Sequence, residues 1–388
     1  MKRSSHYYLA EIEQIPYLLP FGQNLADFKK SMQLNSTGVF LWNQLEKQIT
    51  FEELLHNAAS YFHAEEEDLV FIRQDIEQFL KILRSYGMLE EEEIFPDLWE
   101  ERLSLSIGGL KLSFLGSKGD FSPEFLAFQD NFTGVPDQTL RVLYYPPSNT
   151  ENGTLLIRNH ELMVMDAEDK YIITFPASPY IREAWLSKNG KDVIFYCQGI
   201  HTPTSQEQLF HAIRLMFLYL AQQHNMVVLH SASLLYKGKA WLFSGSSGTG
   251  KSTHTNLWKE YEQISLLNGD LNLIAMENGI PVVCGLPWCG TSKINTTHTY
   301  PLGGITLLGK SPENHVEALS SDKKVLLVTQ RLISPAWTST QLQRNLSVIT
   351  EIVPHILVTK LHCTKEKEAV DTIKKEIDSF ILLRIDKK

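Results

Sequence analysis

Apolar positions over the first 95 residues fall into two spacings. "YYLAEI" and "PYLLPF" read as short strands, and three helical stretches follow them. Asn35 and Ser36 are good N-caps for "LNSTGVFLWNQLEK" (34–47). Thr50 and Glu53 make a T-x-x-E capping box ahead of "LLHNAASYF". Leu69, Ile72, Ile76, Phe79, Leu80 and Leu83 recur at helical spacing and predict a third helix, with Gly87 placed to end it. From about 100 to 205 the pattern becomes short strand-like pieces between turn signals, among them "LKLSFLG", "LRVLYYPP", "ELMVMD" and "DVIFYCQG". "SQEQLFHAIRLMFLYLAQQHN" (205–225) predicts an amphipathic helix. Beyond it, "MVVLHSASLLYKGKAWLFS" predicts two strands turning at Lys237-Gly238. "ISLLNGDLNLIAMENGIPVVCG" predicts a strand, Asp270, and a hairpin turning at Glu277-Asn278-Gly279. Val370, Ile373, Ile377 and Phe380 form the inward face of a last helix.

These changes of pattern divide the chain at 1–95, 96–225 and 226–388. The expected fold class is α/β: a small winged-helix-like α+β domain, a mainly β subdomain and a C-terminal α/β core. The acid run in "LEEEEIFPDLWEE" (89–101) marks the first boundary as a solvated linker or helix end.

A length of 388 residues suits two or three domains, and 43% hydrophobic residues suits large cores. A net charge of −9 argues against a general nucleic-acid or anionic-membrane binder. Residues 50–100 alone carry 14 acidic side chains against 3 basic ones, a poor surface for a phosphate backbone. Of the 4 cysteines only Cys284 and Cys289 lie close together, with no partner pair to complete a metal site. Free thiols are expected. "MKRSSHYYLAEIEQ" lacks the apolar run of a signal peptide, and "LMFLYLA" is too short to span a bilayer. A cytoplasmic protein with neither nucleic acid nor membrane as partner is expected.

The chemistry concentrates in "GSSGTGKSTHTNLW" (245–258). Gly245, Gly248 and Gly250 allow backbone angles that turn successive N–H groups inward as an anion cradle. Ser246, Ser247 and Thr249 complete the loop, and Thr253 follows in the helix start. Lys251 can reach the β- and γ-phosphates, and the Ser252 hydroxyl can ligate Mg²⁺. The pattern G-x-x-x-x-G-K-[ST] is met in full, between the strand "AWLFS" and a helix whose dipole favours anions. The expected ligand is ATP or GTP with Mg²⁺. Transfer also needs a metal-directed carboxylate, and Asp270, after the strand "ISLL", is the candidate. It could equally be a turn aspartate. His230 ends "MVVL" one hairpin upstream of the loop, so it is either a satisfied core histidine or a group folded back toward the phosphates.

Two resemblances follow from these residues. "LNSTGVFLWNQLEKQITFEELL" with "DIEQFLKILRSYGML" resembles the PqqD family of peptide-binding domains, over roughly 7–92. The resemblance implies recognition of the leader of a ribosomally made precursor peptide, as a strand added at a sheet edge beside the third helix. "LHSAS", "KGKAWLFSGSSGTGKSTHTNLW", "LLNGD", "GLPWCGTSKIN" and "PLGGITLL" resemble the HPr serine kinase and phosphoenolpyruvate carboxykinase-like P-loop superfamily, over about 220–388. That resemblance implies catalytic and metal-binding roles at His230 and at the Gly269-Asp270 pair. The family usually has two adjacent acids where this chain has "NGD", so Gly269 stands at one of them. The HPr-binding loop signature is absent. Gly285–Gly290, rimmed by Lys293 and Asn295, reads either as the acceptor side of the site or as a packed turn around Trp288.

The expected activity is transfer of the γ-phosphoryl group to a peptide side-chain hydroxyl, with Lys251, Asp270 and His230 as catalytic residues. Two alternatives stay open: a nucleotide-gated peptide adapter without transfer, and a small-molecule kinase with a regulatory first domain. The reading leaves room for a homo-oligomer.

Overall fold

A computed structural model describes residues 1–22, 25, 29–65, 68–90, 101–144, 153–198, 201–246 and 248–385. Ser247 and most of the 89–101 linker lie outside the described residues.

The N-terminal strands and helices form where the pattern places them. Tyr7–Ile12 and Ile15–Pro20 pair antiparallel, and Met32–Gln33 adds to the second. Ser36–Gln44, Phe51–Tyr61 and Leu69–Ser85 (α1) follow. Asn35 caps the first by accepting from the Gly38 N–H at 2.7 Å, and the Thr50–Glu53 capping box is formed. α1 buries Ile76, Leu80 and Leu83 against Leu18, Trp42 and Leu54. Gly87 ends α1 at φ +67°, where a Cβ would stand 2.8 Å from the Arg182 guanidinium. A side chain there would be strained by the positive φ, whereas the Arg182 guanidinium ends a flexible chain that can move aside.

The second segment is one eight-stranded sheet among the described residues. Its strands are mostly antiparallel, but Gln138–Leu143 runs parallel to both neighbours. Helix Pro203–Gln223 (α2) is amphipathic, as its sequence predicts, only in its first half, where Glu207 and His211 are exposed opposite Leu209 and Ile213. Met216 through Gln222 are buried in succession, because the helix touches the sheet at Ile181–Ser187 on one side and the C-terminal segment on the other. An apolar core therefore runs across position 225. Phe125, Phe195 and Phe217 share it with Leu271, Leu273 and Trp288.

In the third segment two long strands bend and join two sheets. Val227–Tyr236 (β1) pairs with Lys239–Ser244 (β2) through its second half, and with Leu271–Glu277 (β3) through its first. Thr299–Lys310 (β4) runs parallel to β2 and antiparallel to Ile280–Cys284, which pairs back to β3. The pairings close a ring. β2 thus has neighbours on both sides, and the 245–250 loop leaves its buried end to enter helix Lys251–Glu262 (α3).

α3 is anchored by Trp258, whose indole N–H donates to His254 Nε2 at 3.2 Å. His254 is only 3% exposed, and burial pushes its pKa down to about 4. The unfolded chain takes up this proton near the ordinary value of 6.5, while the folded chain refuses it. The associated stability is complete above pH 6.5 and is lost as pH falls from there to about 4. The expected loss is about 3 kcal/mol. Urea titrations of wild type and His254→Gln across that window check it. The wild-type curve should fall more steeply, and parallel curves would contradict the assignment.

Candidate functional site

The loop after β2 has the backbone that the glycines allow. Gly248 lies at φ +74° and Gly250 at φ +101°, both in the left-handed region. Gly250 is the residue before the first turn of α3. Thr249 holds the loop closed, with its N–H and hydroxyl both donating to the Ser246 carbonyl. The Lys251 ammonium donates to the Gly245 carbonyl at 3.3 Å, folded over the loop. Ser252 and Thr253 are exposed in the first turn of α3. Burial lowers the Lys251 pKa from its ordinary value; Asp270 opposes that shift and Arg331 adds to it.

Asp270 and His230 meet directly, with Nε2 3.1 Å from Oδ1. The register explains it. His230 on β1 pairs with Leu271 on β3, so Asp270 sits at the mouth of the same ladder. Asn268 fixes the turn: its Oδ1 accepts from the N–H groups of Asp270 and Leu271 at 2.9 and 3.0 Å. The Ser244 hydroxyl donates to the His230 carbonyl at 2.7 Å, tying the histidine strand to the end of β2. The hydrogen bond from His230 holds the Asp270 carboxyl below its ordinary value against burial, and the charges of His230, Arg214 and Lys251 add to it. Asp270 is thus held as an anion within the field of Lys251.

The structure brings Lys251, Asp270 and His230 into one electrostatic neighbourhood, together with two residues that the sequence reading misses. Arg331 follows helix Ser321–Thr329, and its carbonyl accepts the His230 N–H at 3.0 Å. Arg214 comes from α2 and acts on Asp270. One signal was available for Arg214: it is the lone charge inside the apolar run "AIRLMFLYLA".

Gly269 has a steric explanation. A Cβ there would coincide with the Ser292 hydroxyl, which donates to the Cys289 carbonyl at 2.7 Å. The Ser292 side chain leaves no room for a side chain at 269 unless it shifts. Of the two readings of Gly285–Gly290, the packed turn is seen at Trp288, while Gly290 lies against Asp270, where a Cβ would stand 3.0 Å from the Asp270 Cβ. Trp288 is 2% exposed among Phe125, Phe210 and Phe217, and its indole N–H donates to the Phe210 carbonyl. Gly269→Asp is therefore expected to lower stability by about 1–3 kcal/mol through overpacking. Gly269→Asp with Ser292→Gly should recover most of it. Thermal melts of both check this, and an unchanged melt for the single variant would contradict it.

Residues 25–89 match a family model described as Coenzyme PQQ synthesis protein D (PqqD). This is narrower than the 7–92 resemblance but lies within it. No curated protein matches the chain. Among solved structures, the HPr(Ser) kinase/phosphatase from Coxiella burnetii is similar over 41% of this chain and 98% of its own, at 11% identity and a TM-score of 0.23. A likeness that loose says nothing about chemistry. No helix among the described residues is long and apolar enough to cross a membrane.

Proposed function

We propose that the chain is a Mg²⁺- and nucleotide-dependent kinase that phosphorylates a side-chain hydroxyl of a ribosomally made precursor peptide. The observation that carries this reading is the convergence of Lys251, the glycine-bent loop and the His230–Asp270 pair around one end of a strand ring. The PqqD-like domain at 25–89 supports the acceptor class, because domains of that family bind precursor peptides.

The residues present fit Mg²⁺. A cation shared with nucleotide phosphates asks the protein for one or two oxygens. The ionised Asp270 and the open Ser252 hydroxyl would supply them. Bound there, the metal would neutralise charge on the nucleotide phosphates. The loop amides and Lys251 would cradle the phosphates of ATP or GTP. The acceptor oxygen forms a bond to the γ-phosphorus as the bond to the β,γ-bridging oxygen breaks. The hydroxyl proton passes to the Asp270–His230 pair. The test is labelled γ-phosphate transfer from ATP or GTP to candidate precursor peptides that the 25–89 domain binds, with mass spectrometry to locate the phosphate.

The single carboxylate at Gly269-Asp270 favours a second reading, a nucleotide-gated adapter. Peptide affinity that changes with nucleotide, without any transfer, would select it.

A further inference from the structure

His230 and Asp270 also line a cavity of about 540 Å³, between α2, the second segment and the strand ring. That volume lies in the ~300–1,000 Å³ range of sites that enclose a whole small molecule, more than a lone hydroxyl side chain needs. Phe175, Leu218 and Ile333 give it apolar walls. Its titratable lining is Glu161, His211, Arg214, His230 and Asp270.

We propose that this cavity is the acceptor pocket, and that Arg214 there binds a carboxylate carried within about one residue of the reacting hydroxyl. The inference rests on the kinase reading and names the acceptor that the site would choose.

Arg214 has no hydrogen bond or close ion pair among the described residues, and it stands half-buried. A guanidinium does not shed its proton, so among the described residues the site holds a cation without a contact partner, whose flat fork matches a carboxylate. The two acids that act on it do so from beyond ion-pair distance. Asp270 is engaged by His230, and Glu161 is 74% exposed at the rim, where water screens it. Burial lowers the His211 pKa from its ordinary value, and Arg214 adds to the shift, so His211 brings no second positive charge at neutral pH. Arg214 and the His230–Asp270 pair line one small cavity, which limits the separation of carboxylate and hydroxyl. The carboxylate can come from an acidic neighbour of the hydroxyl residue or from the end of the peptide chain.

The test uses the full chain with Mg²⁺ and a non-hydrolysable ATP analogue, titrated with three probes followed by ligand NMR. N-acetyl-serinamide has no carboxylate. N-acetyl-serine has a terminal one, and N-acetyl-Ser-Asp-amide a neighbouring one. One carboxylate probe should bind about tenfold or more tightly than the serinamide, and which one does identifies the source. Arg214→Gln should erase the preference and Arg214→Lys should keep part of it, in protein whose melting is unchanged. Equal affinities for all three probes, or a preference that survives Arg214→Gln, would overturn the pocket. Nucleotide affinity measured in the same samples separates the two claims. Intact nucleotide binding without carboxylate preference sinks the pocket alone. Carboxylate preference without nucleotide binding sinks the kinase reading.

Discussion

Lys251→Ala should lower nucleotide affinity on the order of 10²-fold and transfer by 10³-fold or more. The ammonium lies folded on the Gly245 carbonyl at 3.3 Å, from where it would turn to a phosphate held by the loop amides on the proposed reading. On the proposed reading it is the loop's own cation toward the charge that would develop on transfer, and removal of one preorganised donor typically costs 10²–10³ in rate. The variant should fold normally, since alanine suits a helix start and one backbone contact is lost. Lys259, exposed on the same helix, is the control and should bind nucleotide as wild type when replaced by alanine. Calorimetry with ATP and GTP reads the effect. Equal affinity in Lys251→Ala and wild type would remove the site from the 245–252 loop.

Asp270→Asn should cost about 10²–10³-fold in transfer while nucleotide affinity falls far less. Asparagine keeps the shape but loses the charge that His230, Arg214 and Lys251 jointly stabilise. Metal positioning and acceptance of the hydroxyl proton then fail together, and Gly269 leaves no second acid to compensate. The loss should fall on kcat. His230→Ala should lose less, because the carboxylate would remain. A larger loss in His230→Ala than in Asp270→Asn would move the proton-accepting role to the histidine.

Local signals carried much of this molecule. The Asn35 cap, the Thr50–Glu53 box and the hairpins at Lys237-Gly238 and Asn278-Gly279 depend on neighbouring residues, and they form as read. The glycine loop is of the same kind. What the reading missed depends on contacts between distant segments. α2 looks one-sided as a string, yet its second half lies between two packed bodies, which bury Met216 through Gln222 all round. Gly269 resembles a lost acid until Ser292, 23 positions on, is seen to fill its place. Arg214 and Arg331 reach the site from elements with no motif of their own. Helix Ser339–Ile352 was legible after all: Thr338 and Gln341 make a T-x-x-Q capping box that the hydrophobic reading passes over.

The central claim is that one chain joins peptide capture to phosphoryl transfer. It is tested most directly by comparing transfer from Mg²⁺-nucleotide to the complete precursor peptide and to the same peptide without its leader. The account predicts phosphate on a hydroxyl of the complete precursor, with kcat/KM at least tenfold lower once the leader is removed, mainly through KM. Equal transfer to both peptides, or none to either while nucleotide stays bound, would contradict it.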